Sequence, residues 1–495
     1  MKRAMLRAVS AAAVLALAAA VPAAAQPNFS KYVALGDSYG AGFGAGCLVA
    51  RHQAFSGPNI LARQLGLDFQ QPTISDPGIP TCNALLSLVP SVSFGPISGK
   101  TGVPTNALLA RPYDNLSVPG FKIADVSDTT SGGLADVVLR GKGSALNQAL
   151  SLNPTFITMT IVGNDILTAP GAGFLLDGVT ATPLALFTAK YNAVAAALKA
   201  NGRTGVFLGT GDVQQLPLLT AIKPVVTDAT GTPVLVGGQP IPLLGPGNAK
   251  YPCPGGAPAC PLPAGTLVTL GANAPQAALG GKSLLGVGFG IPCAVAPTLP
   301  QCGKPLPDGS FTPPATVNVG VLLYPDEVQA IDDRIKAMND VIKAAAAANG
   351  FTYFDTYGFG RDHGTTGFDF GGIHISRDFV TGGFFSFGDA VHLSNIGYTI
   401  FVDALIQFVN SAYGTSVPRP DVSSALFTPD VPAPGTTGIL PVDTSLYFTE
   451  DSWRAFFEEF TPPDPSFKIV LPASADPETI DRAPVVRVPP RRREP

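Results

Sequence analysis

The chain predicts an α/β protein built on a parallel, doubly wound sheet. Three observations carry this: two runs in which an apolar strand, an amphipathic helix and another strand follow one another, and a short apolar strand that stops at a polar Gly-Asp-Ser turn. With 495 residues, 46% of them hydrophobic and 13% charged, the chain can bury a sizeable core, and wholesale disorder is excluded.

In order along the chain, the first segment carries an address. Lys2, Arg3 and Arg7 precede an apolar run from Ala8 to Val21, and Ala23-Ala24-Ala25 stands before Gln26. This is the pattern of a cleaved signal peptide over residues 1–25. The run is shorter than the ~20 residues a membrane span needs, and no later stretch is long enough, so the mature chain is expected to have no transmembrane span. Tyr32 to Leu35 reads as the first strand, and the glycines at 40, 42, 44 and 46 make a loose region after it. The irregular stretch from Cys47 to Asn115 is expected to cover the carboxyl edge of the sheet. Within it, Ser56 and Asn59 start a helix running to Leu65.

Phe156 to Val162 reads as a buried strand. Leu184, Phe187, Tyr191, Val194 and Leu198 step by three and four as one helical face, Asn201-Gly202 ends that helix, and Val206 to Leu208 is the next strand. The order recurs with Val328, Ile331, Ile335, Met338 and Ile342, a stop at Gly350, and a strand from Phe351 to Phe354. Between them, over about 216–321, Pro and Gly are dense, no helical period appears, and four of the six cysteines fall here. This is read as a disulfide-stapled insertion, either a substrate-selecting lid or an elaboration of the rim. The main domain is expected over 26–413. A Pro-rich extension, 414–495, follows, in which Trp453, Phe456, Phe457 and Phe460 share a helical face that docks on the domain, before a solvated tail ending in Arg491-Arg492-Arg493.

Six cysteines in an exported chain point to disulfides, and in sequence order they pair as Cys47 with Cys82, Cys253 with Cys260 and Cys293 with Cys302, one among the many connectivities six cysteines allow. A net charge of −4 with scattered Lys and Arg provides no field for a polyanion, so no nucleic-acid partner is expected.

Ester cleavage needs a nucleophile, a base beside it, an orienter for the base, and donors aimed at the oxygen that becomes negative. Ser38 follows the first strand. Asp389 lies three residues before His392, close enough to fix the imidazole tautomer. Asn164, after the strand at 156, places an amide at the same sheet edge, and Gly120 offers a backbone N–H with no side chain to obstruct it. Asp165 is read as positioning the donor loop. His363 and His374, near Asp362 and Asp369, are read as loop hydrogen-bonding groups and not as a metal site, and no cofactor is expected. His52, with no constellation around it, is placed at the surface or rim.

These four segments, in this order, resemble the GDSL or SGNH hydrolase superfamily of lipases and esterases. Gly36-Asp37-Ser38-Tyr39 matches the nucleophile block, although Tyr39 stands where the namesake leucine would. Gly120 after Asn115-Leu116-Ser117 matches the glycine donor, Asn164 in Gly163-Asn164-Asp165 the asparagine donor, and His392 in Asp389-Ala390-Val391-His392 the base. The likeness spans about Lys31 to Tyr413. It implies a three-layer α/β/α, flavodoxin-like sandwich and a serine esterase or lipase acting on an acyl-ester small molecule or lipid. Ser38, Asp389 and His392 would be catalytic, and Ser38, Gly120 and Asn164 would line the oxyanion hole. The same parts would serve a glycan acetylesterase, and a non-catalytic surface-binding protein on this scaffold is the alternative from another class.

Overall fold

The strand and helix boundaries follow from the apolar periods. The computed structural model describes residues 26–425 apart from 270–290, 293–315 and a number of shorter internal stretches. The signal-like segment, the Cys293–Cys302 pairing, the Trp453 stripe and the C-terminal tail lie outside the described residues.

The first strand, β1 (Tyr32–Gly36), is buried at every position and runs into the four-residue helix α1 (Ser38–Ala41). Helix α2 (Gly57–Gln64) is capped by Ser56, whose side chain accepts from Asn59 N. Then come β2 (Phe156–Thr160), the short helix α3 (Gly163–Ile166), α4 (Leu184–Leu198) and β3 (Thr204–Leu208). Helix α5 (Pro325–Asn349) starts with Pro at its first turn and Glu327 accepting from Tyr324 N at 2.7 Å, and β4 (Thr352–Phe354) and α6 (Asn395–Tyr413) complete the frame.

The four strands pair in parallel in the order β1-β2-β3-β4. Segment 114–118 lies along the other side of β1: Ala34 N donates to Asp114 O, Leu116 N to Ala34 O and Val118 N to Gly36 O, all at 2.9–3.0 Å, with a parallel bridge between Ala34 and Asn115. The chain therefore leaves β1 to one side and returns to the other. That is a topological switch point, and the crevice it opens lies beyond the carboxyl end of β1.

Strands this apolar need cover on both faces. Helix α4 packs on α5, which lies on β3 and β4, while α6 packs with α2 and on β4. The faces are those the spacing picks out: Phe187, Tyr191, Val194 and Leu198 are buried on α4, and Ile331, Ile335, Met338 and Ile342 on α5. Phe207 stacks on Phe351 at 4.4 Å and meets Tyr191 edge-on at 5.9 Å, which joins strand to helix.

The described parts of 216–321 hold short helical turns at Pro217–Thr220 and Pro254–Gly256 and two-residue antiparallel ribbons, among them Leu235–Val236 with Gln239–Pro240 and Leu244–Gly245 with Cys260–Pro261, the latter beside the Cys253–Cys260 disulfide. Ile222, Leu243, Leu262 and Val268 of this segment form a small separate core with Leu322 and Tyr324, which follow it. The second disulfide, Cys47–Cys82, lies beside the carboxyl edge of β1. Among the described residues, no helix is long and apolar enough to cross a membrane.

Candidate functional site

Each side chain at the switch point is placed by a turn that the backbone must make there. Asp37 caps α1, its Oδ1 accepting from Tyr39 N at 3.0 Å, and this leaves Ser38 at the first position of the helix, 8% exposed at the sheet edge. At the other end of the chain, Ser394 caps α6 by accepting from Gly397 N at 3.0 Å and donates to Gly383 O at 2.6 Å, so the loop before α6 is closed at its base. Within that loop, Ser386 N donates to His392 O at 2.8 Å and Asp389 N to Ser386 O at 3.0 Å.

The structure brings Ser38, His392 and Asp389 into one line. His392 Nε2 lies 2.7 Å from Ser38 Oγ, across 354 residues of sequence, and His392 Nδ1 lies 2.8 Å from Asp389 Oδ2. Burial by itself would push the Asp389 carboxyl up. The facing His392 imidazole and the hydrogen bonds from His392 and Gly46 outweigh it and hold the group well below the usual carboxylate range. An ionised carboxylate only accepts, so the imidazole proton sits on Nδ1 and Nε2 is left to accept from the Ser38 hydroxyl. That is the arrangement a general base requires.

Two rings keep His392 in place. Phe43 lies 4.9 Å from it and Tyr39 5.4 Å, centroid to centroid. Tyr39 also donates its hydroxyl to Val391 O at 2.6 Å, and its phenol, pushed well above the usual range by burial, stays a donor. Sequence reading assigned Tyr39 no function; its position next to Ser38 was the available signal.

Asn164 is tied to the turn that carries Gly120. Asn164 Nδ2 donates to Phe121 O at 3.0 Å, which uses one of its two N–H bonds and ties α3 to the 118–123 turn. Gly120 is exposed at φ +87, in a left-handed conformation with open space where a Cβ would stand. Asp165 is fully buried and accepts from Ile123 N at 2.9 Å, a second tie between the same two loops, with burial pushing its carboxyl up to about 6. The two groups of residues are joined through Asp37, whose Oδ2 accepts from Gly163 N at 3.2 Å. Sequence reading gave Asp37 no role beyond its place in the Gly-Asp-Ser motif.

His52 needs a correction. It is not at the surface or rim but 1% exposed, on the short helix Ala50–Gln53, with its ring against Gly44. Burial lowers its imidazole to about 3, so it is neutral, and Asp389, Asn395 and His392 are among the polar groups around it. Asp369 and His374 pair across the ribbon Phe368–Phe370 with Ile373–Ile375, Nδ1 to Oδ1 at 2.9 Å, and His363 lies outside the described residues. Among the described residues no three His, Cys, Asp or Glu side chains gather in the way a metal ion would require. Among the described residues, segment 216–321 reaches the loop before α6 at Leu218, whose N donates to Ala390 O at 3.1 Å.

Compared with models of known protein families and with curated proteins, the chain matches none.

Proposed function

We propose that the chain is an exported serine hydrolase that cleaves carboxylic acyl esters, of the GDSL or SGNH kind its four sequence blocks resemble. On this reading the sheet belongs to a three-layer sandwich, with 216–321 as an insertion on its rim. The observation that carries the reading is the unbroken chain from Ser38 Oγ through the His392 ring to Asp389 Oδ2, both links 2.7–2.8 Å long, at the carboxyl edge of a parallel sheet. A structural serine has no need of an imidazole on its hydroxyl that is itself held by a buried carboxylate.

His392 takes the Ser38 proton as the oxygen attacks the ester carbonyl, and Asp389 steadies the imidazolium that forms. The negative oxygen is met by the backbone N–H groups of Ser38 and Gly120 and by the Asn164 N–H not committed to Phe121. His392 returns its proton to the leaving alcohol, and water, activated by the same imidazole, frees the acyl group from Ser38. The two disulfides accord with export to an oxidising compartment.

Labelling with a fluorophosphonate probe, with the adduct located by mass spectrometry, tests the proposal. The expected result is a single adduct on Ser38 that disappears in Ser38→Ala, with ester turnover reduced by up to about 10⁶-fold in that variant. A folded wild-type protein that takes no label would overturn it.

A further inference from the structure

The carboxylate of Asp389 is held from outside its own loop. Gly44 N donates to Cys47 O at 3.1 Å and Cys47 N to Gly44 O at 3.0 Å, closing a two-residue turn whose central residues, Ala45 and Gly46, sit at φ +50 and +71. Two positive φ values in succession define a type I′ turn. Alanine rarely adopts that conformation, and it persists only where the surroundings over-determine it.

The surroundings here are specific. Cys47 is bonded to Cys82 with the Cα atoms 4.8 Å apart, and the next residue, Asn83, donates its N–H to Ala45 O at 2.7 Å. A Cβ on Gly46, at φ +71, would come within 2.6 Å of the Asn83 amide, so any other residue there is strained and must displace that side chain. The Ser386 hydroxyl and the His52 ring lie within 3.0 Å of where a Cβ on Gly44 would stand. Ala45, Cys47, Val49 and Cys82 are buried together.

What the turn delivers is two backbone N–H groups aimed at the loop before α6. Ala45 N donates to Ser386 Oγ at 2.8 Å, and Gly46 N to Asp389 Oδ2 at 3.1 Å, the same oxygen that accepts from His392 Nδ1. With Val391 N and His392 N on Oδ1 at 3.1 and 3.0 Å, the carboxylate is fixed by four donors, and only Gly46 comes from a distant segment.

We propose that the Gly44–Cys47 turn, locked by the Cys47–Cys82 disulfide, is a positioning element for the acid of the Ser38–His392–Asp389 array, so that the array is held ready only in the oxidised chain. The inference rests on the serine-hydrolase reading. The bond forms by exchange with a disulfide donor: two cysteine thiols give up two protons and two electrons, and the donor leaves as a dithiol. In a reducing compartment that step does not proceed, which leaves the array loosely held until the chain reaches an oxidising one.

Two variants of the full chain separate this from a purely structural disulfide: Gly46→Ala, which keeps both cysteines, and Cys47→Ala/Cys82→Ala. The structural readout is the low-field proton resonance of the His392 Nδ1–H bond to Asp389, recorded in folded protein. Ester kinetics supply the second readout. The expected result is that both variants lose or displace the resonance and fall about 10- to 100-fold in kcat with KM nearly unchanged. Cys253→Ala/Cys260→Ala, which removes the disulfide of the insertion, keeps the resonance in place. A resonance at the wild-type position in Gly46→Ala, or its absence from the wild-type protein, overturns the proposal. Because the resonance does not depend on turnover, a protein that hydrolyses nothing would sink the hydrolase reading while the positioning claim is still decided.

Discussion

Two loops face each other across the end of β1, and they are built differently. On one side, the loop before α6 presents His392 and Asp389 with every carboxylate position occupied, two aromatic rings against the imidazole, and a disulfide-backed turn behind it. On the other, the 118–123 turn and α3 present an exposed glycine and an asparagine with one N–H bond uncommitted to Phe121. Among the described residues, four donors fill the Asp389 carboxylate, whereas Asn164 keeps an N–H that Phe121 does not use. On the hydrolase reading this difference follows from the work each does. A base must keep one tautomer and one direction through the whole reaction, while an oxyanion donor meets its partner only when charge develops, and so must stand open beforehand.

The largest effect should come from unbalancing the occupied side. In Asp389→Asn, the carboxamide has one oxygen to accept, while His392 Nδ1–H and Gly46 N–H both point at the position of Oδ2 and Val391 N–H and His392 N–H at Oδ1. An NH₂ group now faces one donor pair, and the imidazole relieves the conflict by moving its proton to Nε2, where it can no longer accept from Ser38. A loss of kcat on the order of 10⁴-fold is expected, with the fold intact by circular dichroism. A loss of tenfold or less would mean that the four donors are scaffolding and the comparison is wrong.

Asn164→Ala probes the open side. On the hydrolase reading it removes an oxyanion donor, and it also removes the bond to Phe121 O. The expected loss is about 10²- to 10³-fold in kcat with little change in KM, smaller than on the other side because the two backbone N–H groups remain. Equal losses in the two variants would erase the distinction drawn here.

The sheet and its helices were legible in the sequence because each satisfies one local rule. The three-and-four spacing from Leu184 to Leu198 and from Val328 to Ile342 identifies the buried faces of α4 and α5, and the polar residues after Leu35 mark where β1 ends. Segment 114–118 was less legible, since its contact with β1 is a short ladder with no apolar run to announce it. The site residues that sequence reading did not find depend on long-range contacts: Gly46 reaches Asp389 across 343 residues, and Asp37 reaches Gly163 across 126. His52 was misplaced for a related reason. Its neighbours in sequence, Arg51 and Gln53, suggest a solvated turn, and nothing local reveals that the turn at 44–47 and the start of α6 close over the ring.

The two sides also differ in the sign of their pH dependence, and this gives the smallest and most specific test. Asp165 lies under the open side with its carboxyl pushed from 3.8 up to about 6, chiefly by burial. Between those values the folded chain keeps a proton that the unfolded chain has released, so this group's contribution to stability falls as pH rises from about 4 to 6 and is level above that. His52 lies behind the occupied side with its imidazole lowered from 6.5 to about 3, again chiefly by burial. There the unfolded chain takes up a proton the folded chain refuses, so stability falls as pH drops from about 6.5 towards 3. The slopes oppose each other in the same window and partly cancel in the wild-type protein. Asp165→Asn removes one of them and keeps an acceptor for Ile123 N. Denaturant melts at a series of pH values should then show the variant gaining on the order of 1–3 kcal/mol over wild type at pH 7.5, an advantage that shrinks as pH approaches 4. The unmasked His52 slope should make the variant lose stability more steeply on the acid side. A pH-independent difference between the two proteins would mean that Asp165 is ionised in the fold throughout this range, and that the open side carries a buried charge as firmly as the occupied one.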